Sequence, residues 1–217
     1  MKVAIMEFRF SSTIEDEVSH VRFQLGNLEF FRAEKYDVTW PDALKAEIAQ
    51  GIARFSDERL RDAIVRHDLP GASLERVVQS WRRVEDRFAS DFVAQLTRQL
   101  PKVVRVHVTK FGPGGSHDGA SMAPRLVVSY PEMKGLDFNS VLVHEFIEVL
   151  LWRKFRSEEA RLGKRAAHAI KEAVVDRFCS CDNLKPVVGS YRKQASYSQL
   201  PPDWEDWLPA KGLTWSQ

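Results

Sequence analysis

Hydrophobic and polar positions change period several times along this chain, and the changes mark its elements. Residues 2–10 alternate apolar and polar, the period-two pattern of a strand. Residues 18–25 and 28–36 flank Gly26-Asn27 and predict a β-hairpin turning at that pair. Trp40-Pro41-Asp42 opens a helix to about Phe55, with proline where its missing N–H does no harm. Ser56-Asp57 caps a further helix through His67, which Pro70-Gly71 stops. From Ser73 the period is helical: Leu74, Val77, Val78, Trp81, Val84, Phe88, Phe92 and Leu96 predict one long amphipathic helix to Leu100, ended by Pro101. Val103–Thr109 and residues 125–130 read as strands. The run from Gly112 to Gly119 between them, rich in glycine, reads as an irregular loop. Two helices follow, at about 138–156 and 158–179. The segment from Asp182 onward is rich in Pro, Ser and Trp. Its Trp204, Trp207 and Trp215 are too many to leave in water, which predicts a tail that packs on the core or on a partner.

The clearest signal lies in residues 141–152. Nine of these twelve positions are apolar, so the helix is buried on nearly every side. Its exceptions are His144, Glu145 and Glu148. At about 100° per residue, all three share one arc of about 100°. An imidazole and two carboxylates inside a buried helix are expensive unless paired, protonated or bound to a cation. His144 and Glu148 lie one turn apart and can grip a single ion, while Glu145 points beside it, where it could deprotonate a water. That geometry underlies the H-E-x-x-H pattern, written here H-E-F-I-E.

The order of long helix, strand, glycine-rich loop, strand, H-E helix and further helix resembles the minimal core of the zincin metallopeptidases. Among these it is similar to the gluzincins, whose next helix carries an E-x-x-x-D pattern. Here Glu172-Ala-Val-Val-Asp176 stands 28 positions after His144. Small bacterial and phage proteins called metallopeptidases carry a similar H-E-x-I-E helix. The resemblance spans roughly residues 73–181. It implies an α+β fold: a zincin-like core of long helix, small mixed sheet, active-site helix and glutamate helix, with an N-terminal β-hairpin and helical extension. The expected organisation is 1–70 for the extension, 71–181 for the core and 182–217 for the tail. His144, Glu148 and Glu172 would hold the metal, Glu145 would act as general base, and Asp176 would orient His144. Zincins have histidine where Glu148 stands, and a carboxylate there makes the ion a weaker Lewis acid. His168 and His117 are alternative ligands. With His168 the site would be two facing i, i+4 pairs, which suits manganese or iron as well as zinc.

These readings predict a metal-dependent, metallopeptidase-type hydrolase acting on peptide or protein. The rival is a zincin-fold binding or regulatory protein with weakened catalysis. A third reading is an all-α, Mg²⁺-dependent nucleotide pyrophosphohydrolase using Glu145, Glu148, Glu172 and Asp176. The bland alternative is a buried polar network neutralised by Arg or Lys from neighbouring elements. His20, His67 and His107 read as structural or surface residues.

Composition narrows the partners. With 32 basic and 30 acidic residues interspersed, no tract calls for nucleic acid or an anionic membrane. No apolar run reaches the roughly 18–20 residues of a membrane span. Cys179 and Cys181, only two apart, exclude a disulfide framework and read as core thiols of a reducing compartment, so a cytoplasmic location is expected.

Overall fold

The structure, a computed structural model, describes residues 6–93, 101–118 and 124–193, together with Leu200 and Trp204. At its centre is a four-stranded mixed sheet of β1 (Glu7–Ser11), β2 (Val103–Thr109), β3 (Gly115–His117) and β4 (Arg125–Ser129), ordered β1-β2-β4-β3. β1, β2 and β4 run parallel, and β3 pairs antiparallel with β4. The chain is thus α+β, and the sheet rules out an all-α bundle. The glycine-rich run, expected to be irregular throughout, contributes β3 at the sheet edge. Its Gly112 and Gly114 take φ of +100° and +128°, which bends the chain into that strand.

Alternation along β2 and β4 buries both faces. Phe8, Val104, Val106, Val108, Leu126 and Val128 point into the main core, where they meet Leu142, Phe146 and Ile147 of the H-E helix. That helix, α8 (Phe138–Leu162), starts at Asp137, whose carboxylate accepts from the Ser140 N–H at 2.7 Å. It ends at Gly163 (φ +80°), later than expected, and α9 (Lys164–Cys179) begins at once and packs back along it. The other face of the sheet carries His107 and Thr109, which are buried under α1 (Ile14–Gly26).

The N-terminus departs most from expectation. Residues 18–25 and 28–36 do not form a hairpin: they lie in α1, in α2 (Leu28–Ala33) and in the turn after it. Thr13 caps α1 by accepting from the Asp16 N–H, and Glu15, Asp16 and Glu17 favour the positive end of its dipole. Val18, Val21, Leu25 and Leu28 recur at helical spacing. They pack on Leu60, Ala63 and Ile64 of α4 (Asp57–Arg66), forming a second, smaller core. Gly26-Asn27 is the break between two helices, not a strand turn. Segment 1–70 therefore divides: β1 joins the main sheet and the helices form a satellite cluster.

Other elements shift by less. The helix after Pro41 contracts to a 3-10 turn (Asp42–Leu44) and α3 (Lys45–Ala49), and the chain then turns at Gly51 (φ +94°). The long helix from Ser73 divides into α5 (Leu74–Arg82) and α6 (Glu85–Asp91). At the division the Val84 N–H bonds Trp81 O, and Trp81 and Phe88 close around Phe8. The rest of that predicted helix, 94–100, lies outside the described residues, as do 1–5, Trp207 and Trp215. Of two short helices, α7 (Pro131–Lys134) precedes α8, and α10 (Lys185–Val188) follows α9 and packs on α8. Leu200 and Trp204 of the tail pack against the main core. Cys179 and Cys181 are free thiols, and burial pushes the Cys179 thiol up from its ordinary range. None of the described helices is long and apolar enough to cross a membrane.

Buried polar groups under α1 make one prediction. Glu17 accepts from the Thr109 hydroxyl (2.5 Å) and the Lys110 N–H (2.9 Å), and the His20 ring lies 5.9 Å from that of His107. Burial, with His107 nearby, holds His20 down at about 4. An unfolded histidine titrates near 6.5, so below that pH the unfolded chain binds a proton that the folded chain refuses. Stability is therefore present above pH about 6.5 and falls toward pH about 4, by roughly 3 kcal/mol in all. Thermal melts at the two ends of this window should show the loss in wild type and a smaller one in His20→Gln.

Candidate metal centre

Helices α8 and α9 and strand β3 bring the sequence-predicted residues to one place. His144 Nε2 lies 3.3 Å from Glu148 Oε1 and 3.4 Å from Glu172 Oε2. Ligand atoms on a tetrahedral ion with arms of about 2.1 Å stand about 3.4 Å apart. His144 Nε2 thus stands from each carboxylate as two ligand atoms of one small cation would, and the three residues form one of two groups among the described residues whose potential ligand atoms all lie within 4.8 Å of one another. All three residues are buried, and Glu172 Oε2 has no hydrogen-bond partner. Its nearest donor is His144 Nε2, 3.4 Å away, and a small cation between the two would reach it more closely. The donor set, one imidazole and two carboxylates, fits zinc, manganese or iron.

The back of the His144 ring is fixed by a relay absent from the sequence reading. His144 Nδ1 lies 2.8 Å from the Tyr191 hydroxyl, which donates to Asp176 Oδ1 at 2.6 Å. Tyr191 has one proton and spends it on Asp176, so it must accept from His144 Nδ1–H. That leaves the lone pair of the neutral ring on Nε2, facing Glu148 and Glu172. Asp176, expected to orient His144, does so here through Tyr191. Burial and the neighbouring Cys179 and Asp176 push the Tyr191 phenol far up, which keeps it a neutral donor. Tyr191→Phe should weaken metal binding about 10- to 100-fold, with little change in fold. A chelator competition titration checks this.

Charges set the remaining states. Burial opposes a charge on His144, but the Glu148 and Glu172 carboxylates outweigh it and push the ring up to about 10. With only protein groups around it, the ring holds a positive charge where the spacing suits a cation. Burial works against Glu148 too, yet the Lys171 ammonium, His117 and His144 hold it well below the usual range. Glu145 is pushed up to about 7, first by burial and then by the charge of Glu148. It lies on the same arc of α8, over Gly115. A Cβ built there would overlap the Glu145 carboxylate and stand 2.8 Å from its Cδ. The absent side chain is what makes room for Glu145.

Two further side chains enter the site. Lys171 Nζ, missed from the sequence, lies 2.7 Å from Glu148 Oε1 and 3.4 Å from Glu172 Oε1. Its one sequence signal was its place one residue before Glu172. α9 turns Glu172, the expected ligand, inward against α8. His117 Nε2 lies 2.9 Å from Glu148 Oε2, beneath the Trp152 ring. His168 stands at the rim: half exposed, its Nδ1 is 3.5 Å from Glu172 Oε1, away from the oxygen that faces His144. His20, His67 and His107 lie elsewhere, His67 with its Nδ1 3.1 Å from Asp42.

No family model matches this chain, and no characterised protein or solved structure matches it either.

Proposed function

We propose that the protein is a metal-dependent hydrolase of the metallopeptidase type, with zinc the first candidate ion and manganese or iron as alternatives. The single observation that carries the reading is the convergence of His144 Nε2, Glu148 Oε1 and Glu172 Oε2, two of them 3.3 and 3.4 Å from the first, with Glu145 beside them. A bound divalent ion would polarise a substrate carbonyl and lower the pKa of water. His144, Glu148 and Glu172 would hold it, and Tyr191 and Asp176 would keep His144 in the ligating tautomer. Glu145, with its carboxyl near neutrality, would take the proton from the attacking water and return it to the leaving amine.

An extended peptide would bind by strand addition. β4 is flanked on both sides by β2 and β3 and offers no free edge. The edge belongs to β3, whose Gly115 touches Glu145, so a peptide paired there would run past the base. Incubating metal-loaded protein with unstructured polypeptides tests the proposal. Cleavage should stop with a chelator and return with added zinc, and its absence under every loading would defeat it.

Lys171 favours a second reading, a zincin-like binding or regulatory protein in which catalysis is weakened. The ammonium already supplies Glu148 and Glu172 with a counterion, so the carboxylates are not left bare without a metal. Under that reading Lys171→Met would unfold or destabilise the chain. Under ours it removes a competitor, and the variant should bind zinc at least as tightly as wild type. The tail, with Leu200 and Trp204 on the core, is the candidate partner surface of the second reading.

A further inference from the structure

The two oxygens of Glu148 face different histidines. Oε1 looks toward His144 and Lys171, and Oε2 lies 2.9 Å from His117 Nε2. His117, Glu145 and Glu148 form the second group whose ligand atoms all lie within 4.8 Å of one another. This group belongs to a different element: His117 comes from β3, not from the helical hairpin. Its side chain is 5% exposed, and its Nδ1 is buried with no hydrogen-bond partner. Among the described residues none ties up the far nitrogen, so Nδ1 can carry the ring proton when Nε2, the atom aimed at the carboxylates, ligates an ion. Gly115, two residues earlier on the same strand, admits Glu145 to the same space.

We propose that the centre holds a second, weaker divalent cation between His117 Nε2, the Glu145 carboxylate and Glu148 Oε2, sharing Glu148 with the first. The inference rests on the first site being a metal site, and adds a second beside it. A separation of 2.9 Å between two ligand atoms suits arms of about 2.1 Å meeting at about 90°, the angle of an octahedral ion. A carboxylate that gives one oxygen to each of two ions holds them about 3.5–4 Å apart. The consequence is regulatory. Filling the second position takes Glu145 away from its work as base, so cation in excess would inhibit a reaction that the first cation supports.

Titrating metal-free protein with Zn²⁺ against a competing chelator, with native mass spectrometry for stoichiometry, tests this without any substrate. Wild type should take about two ions per chain, the second at least about tenfold more weakly. His117→Ala and His117→Gln should each weaken the second step about tenfold or more and leave the tight step in place. Melting curves show whether the variants fold. Mn²⁺-loaded wild type supplies a readout that needs no variant, since two ions sharing Glu148 should give a spin-coupled resonance. One ion in wild type, lost in His144→Ala, would overturn the second site while the first stands. A weak step indifferent to both His117 variants, without spin coupling, would also overturn it. No binding at all would defeat both sites together.

Discussion

Glu145→Gln is expected to retain the tight cation and to lose hydrolysis by about 10²–10⁴-fold. The substitution preserves shape and length but removes the proton acceptor. His144, Glu148 and Glu172, the three proposed ligands, are untouched, so affinity at the tight site should change little. The loss should fall on kcat, because the missing step is proton transfer and not substrate capture. The pH profile adds a check. The acidic limb of the wild-type profile should follow Glu145, whose carboxyl is pushed up by burial and by the charge of Glu148, and Glu145→Gln should lack that limb. A variant as active as wild type would remove Glu145 from the mechanism.

Gly115→Ala is expected to be nearly as damaging, although it introduces only a methyl group. Gly115 lies in β3 with φ outside the left-handed region, so alanine carries no backbone penalty there. The damage comes from contact: the new Cβ would overlap the Glu145 carboxylate and press on its Cδ and Cγ, at 2.8 and 2.9 Å. Glu145 is buried and cannot swing freely, so the carboxylate must shift or β3 must move. A displacement of about 1 Å at the reacting groups costs about 10²-fold in rate. Overpacking would cost about 1–3 kcal/mol of stability. Metal content should stay near that of wild type, since the atoms nearest an added Cβ all belong to Glu145. Kinetics, melting temperature and metal analysis on one preparation separate these effects. Full activity would mean that Glu145 is not needed where β3 holds it.

Much of the site was legible because α8 states its chemistry in one turn. A helix apolar on nearly all sides with His144, Glu145 and Glu148 on one arc leaves few explanations, and the structure brings all three together. Glu172 was harder, because a polar stripe on α9 reads the same whether it faces solvent or a buried site. Only the packing of α9 on α8 decides, and it buries Glu172 and brings Lys171 onto Glu148 while leaving His168 half exposed. Tyr191 carries no sequence signal: it follows a short helix and a turn at Gly189, and its role depends on long-range closure onto His144 and Asp176. In the fold, strands β2 and β4 and the helices capped by Ser56, Ser73 and Asp137 follow their local signals. The hairpin failed because Gly26-Asn27 is a strong turn signal, yet the spacing of Val18, Val21, Leu25 and Leu28 is helical and tertiary packing on α4 settles it. β3 was hidden by glycines, which weaken a strand but here are needed for bending and for the close approach of Glu145.

The central claim is that His144, Glu148 and Glu172 hold a cation. It is tested most directly by elemental analysis of the purified protein, for wild type, His144→Ala and Glu172→Ala. The account predicts near-stoichiometric zinc, manganese or iron in wild type and its loss in both variants. Loss with His144→Ala alone would hand the third position to His168 or His117. No metal in wild type, even after reconstitution, would contradict the account and leave Lys171 and the carboxylates as a buried ionic network.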